Sequence, residues 1–426
     1  MTMVAAAAYV GGSLVASDKA ELSTQEHESW KIALYYYYID IDDISQHIAF
    51  HKELCNSAGF QGRIRISAEG INGVLSGLYS SLQNYEASLV KELERISNKA
   101  CDDLDMKYCQ LRTDLPVEVQ LFDSLSVKET GQVVSLFEID YTPSSQTNSS
   151  GRRSKQSNRR RRRKEQRKQE HEENPTHPQL PLELQQQIMK HDPAPHLKAD
   201  EWNAKLQEHV SSQSNNALLL DLRNVYESRI GHFAVPHVPT MLTNTRKYSD
   251  LPHMLASNKE LHEKKEIFMY CTGGVRCERV SMYLQSIYPD KSFYQLEGGI
   301  QNYLKDSQVP EFYQGKNFVF DPRRTDPVHF GSTVGQCIVC DVPHDDYDNG
   351  NAPSLNKEAR CNTCRMLILV CTSCRANYKC WGENEKAGDT PLLYCGNDHC
   401  VHEGVAPEPE IIRPWESDIV DIPTPD

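Results

Sequence analysis

The chain has no apolar run approaching the roughly 20 residues that a membrane-spanning helix needs. Basic residues are missing from its beginning: Met1 to Ala16 is apolar, yet no Lys or Arg precedes Lys19. A secretory signal carries a basic n-region and a transit peptide is rich in Arg, so neither is expected, and residues 1–28 read as a disordered tail. Positive charge is also scarce overall, with 46 Lys and Arg against 59 Asp and Glu and a net charge of −13. Apolar residues run short between Arg360 and Cys400, where few occur beyond Met366 to Val370, too few to form a core.

What is present is modular. A chain of 426 residues is long for one core and implies two or three domains, and 38 % hydrophobic with 25 % charged residues marks a soluble, globular protein. Residues 32–39 read as a tyrosine-rich strand, and Asp40-Ile41-Asp42-Asp43 offers carboxylates to open a helix through Leu54. Arg63-Ile64-Arg65-Ile66 alternates as a half-buried strand does, with a basic exposed face. Glu69-Gly70 turns the chain and residues 71–76 return. A second helix over 81–96 puts Leu82, Tyr85, Leu89, Leu93 and Ile96 on one face, and 106–111 is a fourth strand. The order β-α-β-β-α-β is the ferredoxin-like plan, which predicts an α+β domain over residues 29–139. That plan alone hosts many functions.

Positive charge returns in one place. Within a low-complexity linker over 140–195, residues 152–168 hold eleven Lys or Arg against one Glu, among them Arg159, Arg160, Arg161, Arg162 and Arg163 in succession. No apolar face can be drawn through this stretch, so it reads as disordered or as a solvated helix. With its +10 set aside, the remainder of the chain carries about −23. Such an arm attracts phosphate backbones without reading sequence, acts as a nuclear-import signal, or simply binds the chain's own acidic domains.

Fourteen cysteines do not imply secretion, because nine crowd the C-terminal quarter in a metal-ligand pattern that belongs to a reducing compartment. Cys337-x-x-Cys340, Cys361-x-x-Cys364 and Cys371-x-x-Cys374 are three thiolate pairs, and Cys395 with Cys400 supplies a fourth. Cys380, His399 and His402 are spare candidates. Zinc takes four soft ligands in a tetrahedron, and a structural ion would supply stability that the missing core does not. Residues 311–403 are therefore expected to form a zinc-binding module, with an acidic, proline-containing tail over 404–426. Which cysteines share an ion stays open, and no organic cofactor is readable.

The most informative stretch is Met269-Tyr270-Cys271-Thr272-Gly273-Gly274-Val275-Arg276-Cys277-Glu278. Residues 267–270 form a buried strand, the glycine pair permits a tight turn with inward N–H groups, and helical spacing follows from Cys277. A cysteine in a loop that opens a helix lies where amides and the helix dipole favour an anion. That setting, with the charge of Arg276, stabilises a thiolate. Strands alternating with helical stretches from about 199 to 306 argue for a parallel α/β sheet, with the loop at the carboxyl end of a strand, where such sheets place their sites.

This loop resembles the active-site loop of the rhodanese family, Cys-x-x-Gly-x-Arg, matched by Cys271, Gly274 and Arg276. The resemblance implies a rhodanese domain over 196–310 and a cysteine that carries sulfur as a persulfide. Leu218-Leu219-Leu220-Asp221-Leu222-Arg223, followed by Asn224, Tyr226, Glu227, Gly231, His232 and Phe233, looks like the family's first signature. Leu296-Glu297-Gly298-Gly299-Ile300 looks like its closing turn. Asp221 and Arg223 read as a structural ion pair, and with Cys277 they are the accessory candidates.

The hairpin from Gly62 to Gly77, the cysteine loop, Lys316-Asn317-Phe318-Val319-Phe320-Asp321-Pro322-Arg323 and the C-terminal cysteines together resemble the tRNA wobble-uridine hydroxylases. Plant and animal rhodanese-like proteins share this layout. The resemblance implies oxygen-dependent hydroxylation at uracil C5, with Cys271 the catalytic thiol, Arg276, Gly273 and Gly274 its anion-stabilising loop, and tRNA the partner. Arg63, Arg65 and the arginine run are the candidate RNA contacts. Val117-Glu118-Val119-Gln120-Leu121-Phe122-Asp123 departs from the family, which usually has a Lys-rich strand after the position of Leu111. The alternatives are a persulfide sulfurtransferase fed by thiosulfate or a sulfur-donor protein, a non-catalytic zinc- and RNA-binding scaffold, and a redox switch between Cys271 and Cys277. The expected compartment is the cytoplasm, with nucleus or organelle left open. Oligomeric state is not legible.

Overall fold

A computed structural model describes residues 29–101, 104–113, 115–137, 188, 191–256, 258–306, 311–347, 359–378, 392–395 and 409–413. The arginine run Arg159–Arg163 and Cys380, His399, Cys400 and His402 lie outside the described residues.

The N-terminal sheet comprises β1 (Trp30–Tyr38), β2 (Gln61–Ser67), β3 (Gly70–Leu78), β4 (Lys107–Cys109) and β5 (Leu125–Glu129), in the order β4-β1-β3-β2-β5. The first four strands have the ferredoxin-like arrangement, and helices Ile44–Ala58 and Tyr79–Ser97 supply its other layer. Asp43 starts the first helix by accepting the Gln46 N–H at 2.9 Å, the N-cap role its short carboxylate suits. Side chains alternate along β1. Ala33 and Tyr35 enter the core with Leu82, Tyr85, Leu89 and Leu93, which leaves Leu34, Tyr36 and Tyr38 on the opposite face.

The segment after Leu111 corrects the expectation of an altered, non-basic strand. Val117–Gln120 is a short helix, and the strand comes later, as β5, running parallel to β2 at the sheet edge. Its Lys128 stands opposite Arg65.

The second body contains β6 (His196–Leu197), β7 (Ala217–Asp221), β8 (Gly231–Phe233), β9 (Thr240–Leu242), β10 (Glu266–Tyr270), β11 (Ser292–Leu296), β12 (Tyr313–Phe318), β13 (Thr325–Phe330) and β14 (Glu410–Ile412). Its main sheet runs β14-β9-β7-β10-β11-β6, parallel except for β14, which pairs antiparallel with β9. Helices flank both faces, so the strands are apolar on both sides. In β10, Ile267 and Met269 face Val280 and Leu284, whereas Phe268 and Tyr270 face Trp202, Leu206 and Ile300. Each such buried side chain contributes about 1.5–3 kcal/mol, which holds the end of β10 firmly where the cysteine loop begins.

Three features depart from the expected boundaries. Strands β8, β12 and β13 form one antiparallel sheet, so residues just past 310 belong with the α/β body. The expected tail contributes β14 to the main sheet. The Cys-rich segment does not lack a core either. Met366, Ile368 and Val370 pack with Val225, and Leu367 and Leu369 pack with Ile230, Phe318 and Tyr347.

Candidate functional site

Cys271 follows the last residue of β10, and helix Val275–Ile287 begins four residues later, two residues earlier than the sequence reading. Gly274 caps that helix at φ 96°, a conformation that favours glycine, and its N–H donates to the Cys271 Sγ at 3.2 Å. The closing turn explains itself geometrically. The Ile300 and Gln301 amides donate to the carbonyls of Cys271 and Thr272 at 3.0 and 3.1 Å. A Cβ on Gly299 would meet the Cys271 carbonyl oxygen at 2.6 Å, so only glycine permits this approach.

Burial alone would raise the Cys271 pKa, but it is outweighed by the Cys277 S–H, the Arg276 charge and the N–H groups of Arg276 and Gly274, which bring it down to about 6. The thiol is therefore mostly ionised at neutral pH. Cys277 shifts the opposite way: burial, its hydrogen bond to Cys271 and the latter's charge push it well up, so it serves as a thiol donor. Both sulfurs are fully buried.

Arg276 does not face an open anion site. Its guanidinium grips the Glu227 carboxylate at 2.9 and 2.6 Å and contacts the Thr272 hydroxyl at 3.2 Å. Glu227 in turn accepts from Thr272 at 3.0 Å. The loop is thus braced from beneath by a residue the sequence reading had noted only as part of a motif. Asp221 and Arg223 form a buried bidentate pair, at 2.9 and 2.7 Å, with no contact to Cys271 among the hydrogen bonds described.

The N-terminal sheet covers this loop. Leu34 packs over Gly273, and a Cβ at Gly274 would lie 2.9 Å from the Tyr36 hydroxyl. Tyr36 donates to the Glu278 Oε1 at 3.2 Å, and the Tyr38 hydroxyl to the Val275 carbonyl at 3.3 Å. Beside these contacts lies a cleft of about 910 Å³ between the two bodies, lined by Tyr36, Tyr38, His196, Glu278 and Arg279 among others. His196 meets Glu278 at 2.8 Å, a hydrogen bond that raises the histidine pKa despite opposing burial.

Arg63 and Arg65 are exposed on the same sheet face as Leu34 and Tyr36, since Arg65 and Tyr36 both pair with Asn72, and Arg63 and Leu34 with Val74. Desolvation against the sheet, and then the charge of Arg63, lower the Arg65 pKa. Lys128 extends the patch. Sequence reasoning missed it by looking for the basic strand too early; the alternation in Leu125-Ser126-Val127-Lys128-Glu129 was the available signal.

The metal-ligand candidates fall into two interleaved groups. Cys337, Cys340, Cys371 and Cys374 bring their sulfurs within 4.8 Å of one another, as do Cys361, Cys364 and Cys395. The first and third pairs thus share a site, while the second pair joins Cys395. Cys340 and Cys371 sulfurs are 3.7 Å apart and those of Cys364 and Cys395 3.9 Å. A tetrahedron with Zn–S bonds of about 2.3 Å places its sulfurs about 3.8 Å apart, so both groups fit a metal of that size.

A ferredoxin-like sheet docked over a thiolate loop in a parallel α/β body defines a two-domain rhodanese-type protein. Residues 30–133 match the UPF0176 acylphosphatase like domain and residues 203–306 the Rhodanese-like domain. The chain is 30 % identical over 341 residues to the tRNA uridine(34) hydroxylase of Bacillus pumilus, covering 78 % of this chain and 83 % of that protein. It is 29 % identical over 353 residues to the enzyme of that name from Staphylococcus carnosus, covering 81 % and 89 %. Rhodanese-like domain-containing protein 6 of Arabidopsis thaliana is 30 % identical over 369 residues; 85 % of this chain is covered, and the chain spans 54 % of that protein's length. The chain belongs to the tRNA uridine(34) hydroxylase family. Among the described residues, no helix is long and apolar enough to cross a membrane.

Proposed function

We propose that the protein hydroxylates the wobble uridine of tRNA at C5, using oxygen and the Cys271 thiolate. The observation that carries this reading is the depressed Cys271 pKa of about 6 in a loop roofed by the N-terminal sheet, so that the thiol and the basic patch serve one substrate. Cys271 is the catalytic thiol. Gly273 and Gly274 shape its loop, and Arg276 acts partly by charge and partly by holding the loop to Glu227. Cys277 keeps Cys271 ionised. Asp221 and Arg223 brace the body. Arg63, Arg65 and Lys128 contact phosphates, and the arm with Arg159–Arg163 adds affinity without specificity. Zinc is the metal proposed for the two thiolate groups, with Cys400 completing the Cys361, Cys364 and Cys395 set. Clustered reduced thiols favour action in the cytoplasm.

The domain plan behind this reading divides the chain into the N-terminal sheet domain, the basic linker, the rhodanese body and the Cys-rich module. Purified protein incubated with unmodified tRNA under oxygen tests it: C5-hydroxylated uridine is expected with wild type and none with Cys271→Ser. The low-pKa thiol in a six-residue loop equally suits persulfide transfer, the second reading. Thiosulfate turnover without any modified base would establish that one instead.

A further inference from the structure

Cys271 is fully buried, so its substrate reaches it only if some neighbour moves. Two tyrosine hydroxyls stand close enough to the Cys271 thiolate for its charge to raise their pKa values, after burial and, for Tyr36, the Glu278 carboxylate, or for Tyr248, Tyr38. Tyr248 is tied to the Arg276 carbonyl at 2.7 Å and does not line the cleft. Tyr36 does line it, remains partly exposed, and is held by a single 3.2 Å hydrogen bond to Glu278. Its hydroxyl lies directly over Gly274, whose N–H donates to the Cys271 sulfur.

The charges around the cleft are mostly paired inside it. There the tyrosine rings stand among the carboxylates Asp40, Asp105, Glu278 and Glu297, with His196 hydrogen-bonded to Glu278, Lys107 paired with Asp105 beside the Tyr36 ring, and Arg279 engaged by Glu69. On the same sheet face, two strands from Tyr36 and therefore about 10 Å away, stand Arg63 and Arg65, with Lys128 one strand further out. Among the described residues, none of these three has a carboxylate partner. Carboxylates inside repel phosphates yet accept an imide N–H, and rings stack on a base; cations outside take the phosphates. This ordering fits a nucleotide entering base first.

We infer that the cleft is the entrance for an unstacked pyrimidine base, and that Tyr36 is the movable cover over Cys271, latched by Glu278 and displaced by the incoming base. The inference rests on the tRNA reading for its substrate, but the cover can be tested without RNA. Tyr36 is a positioning residue: it governs access to the thiol and takes no part in bond changes.

The experiment follows iodoacetamide modification of Cys271 in the full chain, read by peptide mass. Tyr36→Phe, which keeps the ring and loses the latch, should be modified a few-fold faster than wild type with an unchanged melting temperature, and Tyr36→Ala about tenfold or more. In wild type, a stem-loop RNA with uridine at the target position should slow modification. The same RNA with an abasic site there should bind through its phosphates without protecting. Wild-type rates in both Tyr36 variants would overturn the cover, and equal protection by the abasic RNA, or none by either, would overturn the base pocket. If these results hold while no hydroxylated uridine forms, the hydroxylase reading fails and the entrance stands.

Discussion

Arg279, on the helix that follows the cysteine loop, donates to the Glu69 carboxylate at 2.6 Å across 210 residues of sequence. Glu69 lies at the turn between β2 and β3 and also accepts the Val133 N–H at 2.7 Å. Arg279 lies 4.3 Å from the Tyr38 ring centroid. One arginine thus joins the hairpin, β1 and the helix that follows the cysteine loop.

This contact should be measurable as a coupling. Because Glu69 is about a quarter exposed, with 28 % side-chain exposure, we expect a coupling of only about 1 kcal/mol between Glu69→Ala and Arg279→Ala in a double-mutant unfolding cycle. Full additivity would mean the pair does not hold the two bodies together.

The thiol chemistry predicts a pH profile. With a pKa lowered to about 6, Cys271 is a thiolate above that pH and loses reactivity as pH falls through it. Cys277→Ala removes the S–H donor and should move the midpoint of Cys271 modification upward, whereas Cys277→Ser retains a donor and should move it less. A midpoint indifferent to Cys277 would remove the hydrogen bond from the account.

Glu227 is fully buried against Arg276. Glu227→Ala leaves that guanidinium uncompensated and should cost about 3–5 kcal/mol in denaturant unfolding. A loss below 1 kcal/mol would show that the guanidinium finds another partner.

Metal analysis of protein purified without chelator should find two zinc ions per chain. Cys340→Ser should reduce the content to one, and Cys364→Ser should do the same at the other site. Since Met366–Val370 pack on the α/β body, chelation should also expose Val225 and Ile230 to hydrogen exchange. Protection unchanged by chelation would mean that packing alone holds the module.

Arg63→Ala, Arg65→Ala and Lys128→Ala should each weaken tRNA binding about equally for different tRNAs and reduce the salt slope by about 1. Deletion of residues 152–168 should flatten the slope further. Wild-type slopes throughout would separate the patch from RNA.

Much was legible because local chemistry leaves local marks. Alternation wrote the ferredoxin-like strands, and the N-cap Asp43 wrote its helix. The glycine pair after Cys271 wrote the thiolate turn, because few other residues allow φ 96° at Gly274. Cys-x-x-Cys spacing wrote the candidate metal-ligand pairs. Sequence alone therefore determined the kinds of element and the cysteine loop that opens a helix. Only the tertiary structure decided which thiolate pairs meet, that Glu227 occupies Arg276, that Lys128 joins Arg63 and Arg65, and that the Tyr36 hydroxyl lies over Gly274. Each of those joins residues distant in the chain, and such contacts are set by strand register and by the docking of two bodies, which no local pattern encodes.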